Sequence, residues 1–170
     1  MGRIIAIANQ KGGDLDPSVV TYLMKKENLT PQEMEDILNK KSGVYGMSRG
    51  VSVDFRDIEN EALAGGTHAQ MALDIYHYLT ASYVAKCAVA MGGIDVLTFT
   101  AGVGEKGPIS RKAICDQLEF FGVKIDYEKN KIRGEEVEIS AEDSKVKVYV
   151  VPTNEELMIA RGLRDVLSNP

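Results

Sequence analysis

The stretch Ile94-Asp-Val-Leu-Thr-Phe-Thr-Ala-Gly-Val-Gly-Glu-Lys-Gly-Pro108 carries the punctuation that decides the fold. Residues 96–100 are β-branched, aliphatic or aromatic, the composition of a buried strand, and they break directly into Gly102-Val-Gly104. Pro108 and Ser110 then open a helical pattern. Strand, glycine-rich turn and helix is the order in which α/β proteins seat phosphate or ribose groups at a helix N-terminus. Glycines at such a turn let backbone N–H groups approach a ligand closely. They also serve turn geometry alone, and the stretch by itself leaves both readings open.

Outward from this centre, helical and strand patterns alternate. Residues 3–8 (RIIAIA) read as a short buried strand. Asp16 caps a helix with Pro17 at its first position. Thr30-Pro-Gln-Glu33 is a capping box, and Met34, Ile37 and Leu38 give the apolar stripe of a helix that Gly43 is placed to end. Residues 44–53 read as loop or irregular strand, and a helical turn follows over 54–63. Residues 67–91 form the longest periodic segment, with Ala72, Ile75, Tyr76, Leu79, Tyr83, Cys87 and Met91 at 3.6-residue spacing, which predicts a core helix. The tyrosines on it read as core packing rather than as a cofactor box. A helix is expected over 109–121, ending at Gly122; strands over 136–140 and 146–151; and a final amphipathic helix over 154–167. The alternation indicates an α/β fold.

Composition excludes several functions. The 170 residues suit one domain or one domain with a short appendage. A net charge of −5 argues against a nucleic-acid or anionic-membrane partner. No segment reaches the roughly 18 consecutive apolar residues of a spanning helix, and the start lacks a secretory signal, so a cytoplasmic location is expected. Cys87 and Cys115 stand alone, as buried thiols would in a reducing compartment. His68 and His77 are not at metal-ligand spacing.

Residues 1–13 resemble the opening of the chromosome-partitioning family of Walker-type ATPases, whose strand runs into a phosphate loop. Here the loop stops after Lys11-Gly12-Gly13, and the later lysine and hydroxyl of that motif do not follow. The segment therefore reads as an appended strand with a broken phosphate loop, joined at about residue 13 to a different domain in the manner of a chimera.

Five ordered stretches of that domain resemble the acetate kinase family: Gly13-Asp-Leu-Asp-Pro17, Asn39-Lys-Lys-Ser-Gly43, Val53-Asp-Phe-Arg-Asp57, Thr98-Phe-Thr-Ala-Gly-Val-Gly-Glu105 and Val151-Pro-Thr-Asn-Glu-Glu-Leu-Met-Ile-Ala-Arg161. Their order is that of the family's C-terminal half, and the likeness runs from about residue 13 to 167. The resemblance implies a ribonuclease-H-like half-domain of the actin, heat-shock ATPase and sugar-kinase group, and a phosphotransferase making acetyl phosphate and ADP from acetate and ATP. It also implies that Asp54, Phe55 and Arg56 frame the adenosine, and an arginine suits that role because it stacks on a purine while still donating hydrogen bonds. Without the resemblance, Arg56 would read as a solvated charge. Gly102, Val103, Gly104, Glu105 and Lys106 correspond to a loop that closes over the nucleotide, with Lys106 where the family has an asparagine. An amide donates and accepts, whereas lysine only donates. Glu155 corresponds to an acid that contributes to Mg²⁺ binding, and carboxylates suit that ion.

The family's transition-state arginine has Lys11 at its position, which keeps the charge without the planar fork. The family's N-terminal half, with its acetate pocket and catalytic acids, has no counterpart here. No intact catalytic set is expected, and the chain alone reads as a weak Mg²⁺-nucleotide binder. The alternatives are an inert folded chimera or a dimerising fragment, since the family's C-terminal half supplies its dimer interface, and, less favoured, a partitioning-type ATPase.

Overall fold

A computed structural model of the chain describes Ile4–Ile5 and residues 15–168. Two units emerge, one comprising Met1–Ala6 with Cys87–Pro170 and the other Ile7–Lys86.

The first unit is built on four strands: β1 (Ile4–Ile5), β2 (Val96–Phe99), β3 (Val137–Glu138) and β4 (Lys147–Val150). Their order in the sheet is β1-β2-β4-β3, with β1, β2 and β4 mutually parallel and β3 antiparallel on the edge beside β4. The register sets Leu97 beside Val148 and Phe99 beside Val150. These four side chains are buried, while Val96, Thr98 and Tyr149 on the other face are half-buried. This is the period-two alternation of a sheet with one face in the core. Isolated bridges pair Val123 with Val146 and Ile125 with Ser140, extending the edge.

Helix α6 (Ala101–Lys106) follows β2 at once, and α7 (Pro108–Asp116) follows with proline in its first turn. Ile114, Cys115 and Leu118 join the sheet residues in the core. A single 3₁₀ turn over Glu119–Phe121 closes at Gly122, whose φ of +85° is left-handed and whose absent Cβ would lie 2.9 Å from the Lys145 Cβ. Helix α8 (Glu155–Ser168) is capped by Asn154, whose Oδ1 accepts from the Leu157 N–H at 2.9 Å, and it buries no residue.

The second unit is helical. In α1 (Pro17–Lys26), the Asp16 carboxylate accepts from the Ser18 N–H at 2.8 Å. In α2 (Pro31–Asp36), Thr30 Oγ1 accepts from the Glu33 N–H, and Glu33 Oε2 accepts from the Thr30 N–H at 2.8 Å, completing the expected capping box. A π turn over Ile37–Lys41 carries α2 into α3 (Gly43–Met47), and α4 (Phe55–Leu63) precedes the long α5 (Thr67–Met91), which continues into the first unit. Met34, Phe55, Ile58, Ala72, Leu73 and Val84 are buried, and Phe55 meets Tyr76 edge to face with ring centroids 4.5 Å apart.

Several expectations change. Residues 43–47 form a helical turn rather than loop, and Gly43 (φ +62°) opens it as well as ending the preceding run. The helix expected over 109–121 breaks at Asp116. In α5 the buried line is Ala69, Ala72, Leu73, His77, Thr80, Ala81, Val84 and Ala88, so the predicted stripe of Ile75, Leu79 and Tyr83 is only its half-buried flank. Small residues take the tightest positions and larger ones sit beside them. Cys87 falls on the exposed side, against expectation, whereas Cys115 is buried and its thiol is pushed up to about 12 by desolvation.

Candidate functional site

The parallel strands β2 and β4 end together, and the Val151 N–H donates to the Phe99 carbonyl at 2.9 Å beyond the paired residues. The segments after the two strands therefore leave the same edge of the sheet, the carboxyl edge at which open α/β sheets bind ligands. The turn from β2 into α6 passes through Ala101 at φ +58°, a left-handed conformation costly for a residue with a Cβ.

Residues 102–106, expected as a glycine-rich loop, are most of helix α6. Gly104 sits at a close approach: a Cβ there would lie 3.2 Å from the Phe99 carbonyl carbon, a tight contact with backbone. Gly102 is different. It is exposed, and a Cβ there would meet nothing within 4 Å. Val103 is half-buried and Lys106 is exposed. Glu105 turns inward: its Oε1 accepts from the Thr153 N–H at 2.7 Å and from Thr153 Oγ1 at 2.8 Å. Burial alone would raise the Glu105 carboxyl, but these hydrogen bonds and one from the Ala101 N–H outweigh it and hold the carboxyl below its usual value. Glu105 thus joins α6 to the segment leading into Glu155.

Arg111 of α7 braces α6 from behind. It is fully buried, and all five of its N–H groups are used. Nε donates to Asn130 Oδ1 at 2.8 Å; Nη1 donates to the carbonyls of Gly104 (2.8 Å) and Glu105 (2.9 Å); Nη2 donates to those of Asn130 (2.6 Å) and Ile132 (2.8 Å). Burial draws the guanidinium down to about 10, so it remains charged at neutral pH. Sequence reasoning passed over Arg111. Its place three residues before Ile114 and four before Cys115, on the apolar stripe of α7, is the signal that would have found it.

In the helical unit, Asp54 caps α4 by accepting from the Arg56 N–H at 2.9 Å and also holds the Arg56 side chain, with Nη2 at 2.6 Å from Oδ2. These hydrogen bonds hold the Asp54 carboxyl down to about 2. The pair is exposed and adds little stability. It fixes the guanidinium through Nε and Nη2, while the Arg56 side chain remains 79% exposed and able to stack. Phe55 is buried against Tyr76 and anchors the start of α4. Glu155 is exposed in the first turn of α8. Lys11 lies outside the described residues.

No group of three or more His, Cys, Asp or Glu side chains among the described residues is arranged to hold a metal by itself. A lone exposed carboxylate at Glu155 fits a Mg²⁺ ion that keeps most of its water and phosphate ligands, not a protein cage. A cleft of about 210 Å³ in the sheet unit is lined by Cys115, Asp116, Lys124, Tyr127 and Asp143 among others, and none of the expected nucleotide residues lines it.

A parallel core sheet, an antiparallel edge strand and a braced helix at the carboxyl edge define an α/β fold of ribonuclease-H-like type, and known structures agree. The chain is similar to the crystal structure of Porphyromonas gingivalis acetate kinase, with a TM-score of 0.85 and 46% identity, covering 92% of this chain and 39% of that one. It is also similar to acetate kinase from Entamoeba histolytica, with a TM-score of 0.83 and 35% identity, covering 92% and 40%. Among curated relatives, the acetate kinase of Thermotoga petrophila is 55% identical over 163 residues, covering 95% of this chain and 40% of its own length. That of Dictyoglomus turgidum is 56% identical over 149 residues, covering 88% and 36%. The profile of the Acetokinase family matches residues 6–161, and the chain belongs to that family. It spans about two-fifths of the length of these relatives. The match begins at residue 6, upstream of the expected start of the likeness at about residue 13.

Two outcomes follow from α6. Gly104→Ala should lower stability by about 1–3 kcal/mol, because its Cβ presses on immobile backbone, whereas Gly102→Ala should leave the urea midpoint unchanged or slightly raised. Equal effects of the two would contradict the geometry. Because the folded Glu105 carboxyl is held low, its contribution is complete above the ordinary value of 4.5 and is lost as pH falls through the lower folded value. The stability difference between the native chain and Glu105→Gln should therefore shrink on acidification below pH 4.5, as read by urea unfolding across that range.

Proposed function

We propose that this chain binds ATP and ADP with Mg²⁺ as part of a phosphotransferase acting on acetate, in a cytoplasmic setting. The residues put forward for the nucleotide are Asp54, Phe55 and Arg56 of the helical unit and Gly102, Val103, Gly104, Glu105 and Lys106 of the sheet unit, with Glu155 serving the metal. The observation that carries this reading is the two-sided character of α6. Its inner side is fixed by Arg111 and by the Glu105–Thr153 bonds, while its outer side, at Gly102 and Lys106, is exposed with nothing within 4 Å of where a Gly102 Cβ would stand. A backbone braced behind and bare in front costs little to order when a ligand arrives.

Family membership supports the substrate, ATP-dependent phosphorylation of acetate, and an exposed arginine held at a helix start supports adenosine stacking. Lys106 then reaches the nucleotide as a donor and a charge only. With Lys11 where the family's transition-state arginine stands, the 170-residue chain by itself is expected to bind nucleotide weakly without measurable acetyl phosphate formation. An appended, chimera-like origin for residues 1–13 is reduced in scope by the family match from residue 6, although β1 does lie as an edge strand beside β2.

Calorimetric titration with ATP, with and without Mg²⁺, tests the reading. Saturable binding is expected. Arg56→Ala should weaken it about ten- to a hundredfold, the loss of one or two charge-assisted hydrogen bonds, and Glu155→Ala should remove most of its Mg²⁺ dependence. Absence of binding at millimolar ATP, with self-association the only behaviour seen, would favour the inert dimerising alternative.

A further inference from the structure

A fully buried cation is expensive unless its hydrogen bonds are met, and Arg111 meets all of its own without an anion. Its acceptors are four backbone carbonyls and one side-chain amide. Two of the carbonyls, Gly104 and Glu105, belong to the last turn of α6, where helix carbonyls carry partial negative charge and lack intrahelical partners. The remaining acceptors belong to Asn130 and Ile132. Asn130 is buried as well, and its Nδ2 donates to the Pro108 carbonyl at 2.8 Å at the start of α7. The Gly134 N–H donates to the same Glu105 carbonyl at 3.1 Å. One planar group thereby ties the end of α6, the start of α7 and the turn over 129–134 into a single body.

The fork is what makes this work. A lysine offers three donors around one atom and cannot meet the five acceptors that lie around the guanidinium plane. Apolar residues of similar volume often replace buried charges without loss of stability, so a cation here points to control of backbone position. The controlled backbone is residues 104–105, directly beside Gly102 and Lys106.

We propose that Arg111 is a positioning residue for nucleotide binding: it sets the α6 backbone so that Gly102 and Lys106 present a fixed surface to the ligand. This rests on the nucleotide reading above. It adds that the surface depends on a guanidinium touching no ligand.

The test combines amide hydrogen exchange and Mg²⁺-ATP titration on the full chain carrying Arg111→Lys or Arg111→Ala. Exchange should accelerate together in peptides covering 101–107 and 129–134 and remain unchanged over 55–63 and 147–150. Mg²⁺-ATP affinity should fall at least about tenfold, the scale of one lost charge-assisted network bond. Low-millimolar guanidinium should restore affinity to Arg111→Ala, whose cavity accepts it, and not to Arg111→Lys. Uniform acceleration throughout the sheet unit, or unchanged affinity with local acceleration, overturns the proposal. If the unsubstituted chain does not bind Mg²⁺-ATP, the nucleotide reading fails and Arg111's positioning role with it; the exchange pattern then reports only whether the guanidinium still ties 101–107 to 129–134. Should both Arg111 variants fail to fold, Asn130→Ala, which removes the Nε acceptor and the Pro108 bond, is read by the same peptides and titration.

Discussion

The parallel pairing of β2 with β4 is the constraint on which the sheet unit depends. Its register places Leu97 against Val148 and Phe99 against Val150 on the buried face. A slip of β4 by one residue would turn Val148 and Val150 to the opposite face and bring half-buried Tyr149 inward against Leu97 and Phe99. The same register makes the two strands end together, so the chain after Phe99 and the chain after Val150 leave one edge as neighbours. Everything argued about α6 and the segment leading to Glu155 follows from that coincidence of ends.

At this edge two charged side chains are buried, and they do not pair with each other. The Glu105 carboxylate is satisfied by the N–H and hydroxyl of Thr153, while Arg111 takes the Glu105 backbone carbonyl together with those of three other residues. Each charge is thus solvated by protein dipoles in place of water, which raises the cost of misplacing any partner. The carboxylate is carried by the last turn of this short helix, and the guanidinium holds the carbonyls of the same turn. The strained Ala101 stands at the helix's other end, and a segment with two glycines would not hold a helical turn without such ties.

Much of the fold was legible because its signals are local. Asp16 with Pro17 and Thr30 with Glu33 marked helix starts through atoms within a few residues, and α5 is bounded by the glycine pairs Gly65-Gly66 and Gly92-Gly93 on either side of it. The Asp54 and Arg56 pairing was within reach of the sequence for the same reason. Long-range partners were not. Glu105 meets Thr153 across 48 residues and Arg111 meets Asn130 across 19, and no local pattern announces either. Arginine is rarely fully buried, and position 111 was passed over. The glycines at 102 and 104 argued for a loop until the tertiary ties are considered, and the α5 stripe was rotated because its large apolar residues outweighed the alanines that occupy the closest positions.

The most direct measurement is a ¹H–¹⁵N correlation spectrum of the uniformly labelled chain titrated with Mg²⁺-ATP, in which glycine amides are resolved by their nitrogen shifts. The account predicts saturable movement of the Gly102 and Gly104 resonances, with Arg56 moving over the same concentration range and the residues lining the Cys115–Asp116 cleft still. Movement confined to that cleft, or none at saturating nucleotide, would contradict it.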